Sequence, residues 1–80
     1  MTPTKTQRQL RGLGRELRRI RTEALGLSMR DVERRFKFDK SFLSRLEAGK
    51  DVQIGNVIGL LRRYGCELDI VKAGYGNLRS

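Results

Sequence analysis

The side chains best suited to chemistry lie in residues 38–50, FDKSFLSRLEAGK, where cations and hydroxyls surround a short apolar thread. Lys40 and Arg45 are cationic donors, and Ser41 and Ser44 can donate or accept hydrogen bonds. An arginine at such a place can bond both acceptors on the edge of a guanine. The chemistry that this stretch indicates is recognition by hydrogen bonding.

Catalytic and metal chemistry have little support in the chain. It contains no histidine, and Cys66 is its single cysteine. A zinc site with the usual Cys and His spacing, an internal disulfide and the commonest nucleophile and base pairings therefore cannot be assembled. We expect a protein that is not an enzyme and that has no cofactor, no metal and no catalytic residue, although counting leaves serine and lysine chemistry open.

The charge of the chain favours an anionic partner. Its 80 residues carry 18 Lys and Arg against 9 Asp and Glu, which gives a formal charge of +9. Seven of these cations lie in residues 5–21, beside one acid. Nucleic acid is the natural partner class, ahead of a membrane surface. Because the chain lacks a membrane-length apolar run and residues 1–9 lack a signal-peptide core, we expect a cytoplasmic protein with no membrane partner.

Apolar spacing predicts that helices position these side chains. Residues 1–9 lack an apolar period and are predicted to be a flexible basic arm, and a helical rhythm begins at Leu10. The first helix is predicted to be firm over residues 14–25, because two glycines weaken its first turn and Gly26 stops it.

Two short helices follow, joined by a turn of a few residues. The second helix is predicted to begin at Ser28, with Asp31 in its first turn, and to end at Lys37–Phe38. The third has a polar, basic face opposite an apolar one. The residues predicted to cap it, pack it, brace it or end it are Asp39, Leu43, Leu46, Glu47 and Gly49.

The end of the chain predicts a fourth helix, from Ile54 to about Tyr64, and a strand over residues 66–72. A lone strand leaves backbone groups unpaired, and pairing with the same strand of a second subunit is the economical solution. An irregular tail packed on helix four is the alternative, and residues 73–80 are predicted to be a loose tail. The residues predicted to form the dimer contact are Cys66, Leu68 and Ile70.

Two short helices joined by a turn form a helix-turn-helix arrangement, whose second helix fits the major groove of DNA. The segment GLSMRDVERRFKFDKSFLSRLEAGK, residues 26–50, resembles the helix-turn-helix of the Xre, Cro and lambda-repressor superfamily. Its LSRLEAGK ending matches the pattern apolar-Ser-x-apolar-Glu-x-Gly-Lys, and the resemblance covers residues 13 to about 65. The continuation IGNVIGLLRRYG and CELDIV is similar to HipB-like antitoxins.

This resemblance implies an all-α, four-helix, lambda-repressor-like DNA-binding domain over residues 10–65, which forms a homodimer through a C-terminal β-strand. We expect a repressor that binds a palindromic operator in double-stranded DNA and that is the antitoxin of a HipA-like toxin kinase. A phage-type or restriction-controller regulator without a toxin is the alternative, and a basic RNA-binding protein is a second. The helix-turn-helix spacing and the few stacking aromatics weigh against RNA.

The resemblance also implies roles for individual residues. Base contacts are expected from Lys40, Ser41, Ser44 and Arg45, and a phosphate contact is the alternative for Lys40 and Arg45. Phosphate contacts are expected from Ser28, Met29, Arg30, Lys50 and Gln53. For Phe42, packing in the core or between subunits is favoured over contact with a thymine methyl. Arg8 and Arg11 are expected to follow the DNA backbone or to enter a minor groove, and a disordered arm is the alternative.

The family pairs the glutamate at position 47 with an arginine of helix one. Arg21 and Arg18 are the candidates here, although the spacing before Gly26 differs by one residue from the family pattern. Glu33 stands where a small residue is usual, so it must tilt outward or find a cation. Lys37 stands where glycine is usual and is expected to adopt a positive φ. Met29 replaces a glutamine that touches phosphate, which shifts that contact to Arg30 or to the helix-start amides.

Overall fold

Four α-helices and one π-helical turn form the part of the chain that the computed structural model describes, residues 2–69. Helix α1 spans Lys5–Arg19 and continues into the π-helical turn Ile20–Ala24. The other helices are α2 at Met29–Phe36, α3 at Lys40–Glu47 and α4 at Ile54–Arg63. The predicted all-helical class and the order of the helices are confirmed.

The first helix begins earlier than predicted. Thr4 is its N-cap, since the Thr4 side chain accepts from the Gln7 amide at 3.1 Å and Gln7 Oε1 accepts from the Thr4 amide at 2.9 Å. This reciprocal pair satisfies two amide groups that the start of a helix otherwise leaves unbonded. The prediction of a flexible arm is therefore wrong for residues 5–9, which are helical although they lack an apolar stripe.

The core lies where the four helices meet, and α3 contributes two residues to its centre. Leu43 and Leu46 are 0% and 1% exposed, as predicted. Burying a leucine in this way stabilises the fold by roughly 2 kcal/mol relative to leaving it exposed. The other buried apolar residues are Leu17, Val32, Val57, Leu60, Leu61 and Tyr64.

Helix α1 lies directly against the carboxyl end of α3. A methyl group on Gly14 would overlap the Leu46 carbonyl oxygen and lie 2.9 Å from that of Glu47. Gly49, just after α3, has a φ of +81°, and a Cβ there would lie 2.6 Å from Cγ of Arg11. Gly14 therefore allows a backbone approach that any larger residue would prevent.

The predicted strand is not seen in residues 66–69, which have no regular secondary structure. Ile70 and the remainder of residues 66–72 lie outside the described residues, as does the predicted tail at residues 73–80. Pairing of this segment between two subunits therefore stays a prediction.

Candidate nucleic-acid interface

Helix α3 presents a polar face to solvent along its two turns. Lys40, Ser41, Ser44 and Arg45 are all exposed, whereas Leu43 and Leu46 on the opposite face are buried. A helix with side chains pointing outward in this way has the dimensions and donors needed to enter a major groove. The structure thus brings together the four residues predicted to contact bases.

The amino end of α3 is held by hydrogen bonds that are themselves exposed to solvent. Asp39 is the N-cap, and its carboxylate accepts from the Ser41 amide at 3.3 Å and from the Ser41 hydroxyl at 2.8 Å. Glu33 of α2 accepts from the Lys40 amide at 3.3 Å. The predicted cap is confirmed, and Glu33 does tilt outward, where it bonds an amide instead of a cation.

The turn between α2 and α3 depends on one left-handed residue. Lys37 has φ 64° and ψ 35°, and its amide donates to the Glu33 carbonyl at 3.0 Å. It is the only non-glycine residue with a positive φ among residues 2–69, which confirms the expectation for this position. Such a conformation is strained for a residue with a Cβ.

The carboxyl end of α3 is held by a buried ion pair. Arg21 donates from Nε to Glu47 Oε2 at 2.7 Å and from Nη2 to Glu47 Oε1 at 2.9 Å, and both side chains are less than a tenth exposed. A third bond runs from Arg21 Nη1 to the Leu27 carbonyl at 2.9 Å. The hydrogen bonds to Glu47 raise the pKa of Arg21 above its ordinary value. Of the two predicted partners, the structure selects Arg21, and Arg18 is exposed.

Arg21 lies in the π-helical turn, on the same buried face as Gly14 and Leu17. The Leu25 amide donates to the Ile20 carbonyl, five residues back, at 2.9 Å, and the Leu27 amide donates to the Arg21 carbonyl at 2.8 Å. A π turn holds one more residue than an α turn. It therefore takes up the one-residue difference in spacing before Gly26, which has a φ of +65° as the chain turns towards α2.

Arg45 makes a bond that the sequence did not indicate. Its Nη2 donates to the Asp51 carbonyl at 3.1 Å and so links α3 to the loop before α4. A shallow depression lies beside it, lined by Ser41, Phe42, Arg45, Asp51, Val52 and Gln53. Since a guanidinium has five N–H donors, Arg45 keeps donors for another partner.

Phe42 packs on the protein, as the sequence predicts. Its ring stacks on that of Phe38, with centroids 5.8 Å apart and an angle of 29°, and both rings pack against the core. Phe38 in turn lies over Gly59, where a Cβ would be 3.5 Å from Phe38 Cζ. Gly59 makes room for an aromatic ring there.

The predicted phosphate contacts fall at two places. At the start of α2, Ser28 and Asp31 form a capping box, and the bonds that Asp31 accepts from Ser28 lower its pKa. Met29 differs from the other predicted phosphate contacts, because it is partly buried and packs against the core. The exposed residues are Ser28 and Arg30 at this start, and Lys50 and Gln53 around the α3–α4 loop.

The predicted dimer residues lie after α4. Cys66 is partly buried and its Sγ is 3.8 Å from the Tyr64 carbonyl, whereas Leu68 is 48% exposed. Both line a groove with Ile58 and Leu61 of α4.

Residues 2–69 contain neither a metal-binding cluster nor a membrane-spanning helix. No group of three or more His, Cys, Asp or Glu side chains is placed to hold a metal ion. No helix in the described range has the length and apolarity required to cross a membrane.

Comparison with known families agrees with this geometry. A model of a helix-turn-helix domain family matches residues 12–71, which is most of the chain. The chain belongs to this helix-turn-helix domain family, of Xre-like type, and the family supports DNA binding. The comparison with curated proteins gives no match, and neither does the comparison with solved structures.

Proposed function

We propose that the protein is a sequence-specific transcriptional repressor that binds its operator as a homodimer. The observation that carries this proposal is the exposed polar face of α3, on a helix whose opposite face is buried and whose two ends are held by side chains of other helices. Each subunit places α3 in one half-site, and the half-sites are about one helical turn apart.

In this proposal Arg45 bonds a guanine, and Lys40, Ser41 and Ser44 contact neighbouring base edges or phosphates. Exposed Lys50 and Arg30, and the first amides of α2, bind the flanking phosphates. The bond from Arg45 to the Asp51 carbonyl holds the guanidinium beside the loop that carries Lys50.

The test begins with an operator obtained by selection from random duplexes with the purified protein. We expect Arg45→Ala to cost roughly 1 to 3 kcal/mol on the selected operator and to relax the preference at one base pair. Lys50→Ala is the matched control, which should weaken binding to all sequences alike. If Arg45→Ala also weakens all sequences alike, Arg45 is a phosphate anchor or a brace of the loop and does not contact bases.

A dimer is supported by apolar residues at the surface near the chain end. Ile54, Ile58 and Leu68 are 59%, 40% and 48% exposed, and the last two share one groove. We propose that a second copy covers this groove while residues 66–72 of the two subunits pair as strands. Replacing Leu68 and Ile70 by Asp should produce monomers in sedimentation without loss of the helical circular dichroism signal. An unchanged dimer would exclude this interface.

We propose further that the repressor is the antitoxin of a HipA-like toxin kinase. This rests on the resemblance of residues 54–71, IGNVIGLLRRYGCELDIV, to HipB-like antitoxins. Copurification of a kinase-like protein encoded beside this chain is the expected result. A regulator without a toxin would bind its own promoter and bring down no such kinase, and binding of structured RNA in preference to duplex DNA would contradict both versions.

A further inference from the structure

Helix α1 carries a row of arginines that the helix-turn-helix interface does not use. Arg8, Arg11, Arg15 and Arg18 follow one another at spacings of three, four and three residues, which places them along one side of the helix. All four are exposed. We call this set the arginine row.

The row is straight and held in place. The capping box at Thr4 and Gln7 starts α1 before Arg8, and α1 runs without interruption to Arg19. At about 1.5 Å per residue, the distance along the helix from Arg8 to Arg18 is about 15 Å. The backbone positions of these arginines are therefore fixed relative to one another, which a flexible arm would not provide.

The charges of the row are not neutralised within the described part of the chain. The two ion pairs found among residues 2–69 are Arg19 with Glu16 and Arg21 with Glu47, and neither includes a member of the row. Four neighbouring exposed arginines without acids beside them repel one another, and a polyanion against this side of the helix would relieve that repulsion.

The position of the row points to DNA. The stem of Arg11 lies against Gly49, and the next residue along the chain is the exposed Lys50, which is proposed to bind phosphate. Gly14, one turn further on, lies against the carboxyl end of α3. The row is thus continuous with the edge of the surface formed by α3 and the α3–α4 loop.

We infer that the arginine row is a second DNA contact, which binds phosphates flanking the half-site that α3 occupies. This inference rests on the proposed function, since it requires α3 to face duplex DNA. The length of the row along the helix corresponds to the rise of about four base pairs of duplex DNA. Its guanidinium groups can bond the regularly spaced phosphates of one strand. It adds affinity for any sequence and no preference among bases.

The test measures binding of the full chain to a mixed-sequence duplex of about 30 base pairs over a range of salt concentrations, since the phosphate term is independent of sequence. The variant is Arg8→Gln with Arg15→Gln, which removes two charges and keeps good helix formers. Each lost phosphate contact should reduce the slope of log affinity against log salt by about 0.9. When the salt concentration rises from about 50 to about 200 mM, both proteins lose affinity. The fold loss of the variant should be about tenfold smaller than that of the unchanged protein.

Two controls separate contact from total charge. Arg34→Gln with Arg35→Gln removes the same charge from the exposed last turn of α2, and its slope should stay close to that of the unchanged protein. Arg8→Lys with Arg15→Lys keeps the charge and should also keep the slope. Circular dichroism confirms that each variant is folded.

The outcomes distinguish a failure of the proposed function from a failure of the inference about the arginine row. If the unchanged protein binds no duplex, the proposed function fails. If it binds duplex and the Arg8 and Arg15 variant has the slope of the Arg34 and Arg35 control, only the arginine row is excluded. A variant that loses affinity for a hairpin RNA of similar length while keeping its duplex slope would also overturn the inference, because the row would then bind RNA.

Discussion

The two ends of helix α3 are held in different ways. At the carboxyl end, Arg21 and Glu47 form a buried, two-bond ion pair, and Gly14 of α1 lies against the last carbonyls. At the amino end, Asp39 and Glu33 cap the first amides in contact with solvent. A buried contact fixes the helix axis on the domain, whereas exposed caps can exchange with water.

This difference shows how a small domain can hold α3 rigidly and still leave its polar face accessible to DNA. The side chains proposed to bind DNA begin at Lys40, at the exposed end, where no core packing competes with DNA. The rigid end lies against α1, whose arginine row continues past Gly49. The polar face is therefore accessible along the whole helix of eight residues, and the buried contacts that fix the helix are concentrated at its carboxyl end.

The largest expected effect comes from breaking the buried ion pair at the carboxyl end of α3. Glu47→Gln leaves the Arg21 guanidinium buried without a charge partner and should lower the free energy of unfolding by about 3 to 5 kcal/mol. Chemical denaturation of both proteins measures it. The matched control is Glu16→Gln, which breaks an exposed pair with Arg19 on the same helix and should have little effect. Equal losses in the two variants would show that burial of the Arg21 pair is unimportant.

A second prediction compares two glycines of α1. Gly14→Ala drives a methyl group into the carbonyls at the end of α3 and should cost about 1 to 3 kcal/mol of stability. Gly12→Ala is the control, since nothing lies within 4 Å of its added methyl group. It should stabilise the helix by up to about 1 kcal/mol. Thermal unfolding of the pair should therefore give opposite signs, and a gain in both would mean that α1 shifts easily on α3.

The sequence predicted the structure of some of these regions better than that of others, and the reasons are physical. Apolar spacing and capping residues predicted α2, α3 and α4 to within about one residue, and Asp39, Leu43, Leu46 and Glu47 have the structural roles expected of them. These features depend on local chemistry. The early start of α1 also had a local signal, the Thr4 and Gln7 capping box, but the absence of apolar residues concealed it.

Other features depend on tertiary contacts that local patterns do not contain. Gly14 looked like a weak point in a helix, and only its neighbour α3 makes it necessary. Arg18 and Arg21 are one turn apart, and the packing of the first helix on α3 decides which of them reaches Glu47. The bond from Arg45 to the Asp51 carbonyl also had no signal, because it depends on the path of the following loop.

A third prediction addresses the exposed end through its turn. Lys37→Gly removes the strain of a left-handed lysine and should raise stability by about 1 kcal/mol. Lys37→Asn, which tolerates this conformation better than lysine and also removes the charge, should raise it by less. Denaturant unfolding of the three proteins checks the order. If Lys37→Gly lowered the stability, the Lys37 side chain would stabilise the fold by more than its strained backbone destabilises it.

The smallest expected effect concerns Tyr64, whose hydroxyl is buried and has no hydrogen-bond partner among residues 2–69. Tyr64→Phe removes that unsatisfied group and should leave stability unchanged or slightly raised near neutral pH. Burial, with a further contribution from the Glu47 carboxylate, raises the pKa of Tyr64 from 10.0 to about 12.

Because the folded pKa of Tyr64 is the higher one, the stability that it contributes is complete below the unfolded pKa near 10 and is lost as pH rises towards 12. Denaturation at pH 9 and at pH 11 should therefore show a larger decrease for the unchanged protein than for Tyr64→Phe. The comparison isolates Tyr64 from the lysines that titrate in the same range, since both proteins contain them. Equal decreases in the two proteins would show that the Tyr64 hydroxyl is in contact with water. The carboxyl end of α3 would then be more accessible to water than its buried ion pair indicates.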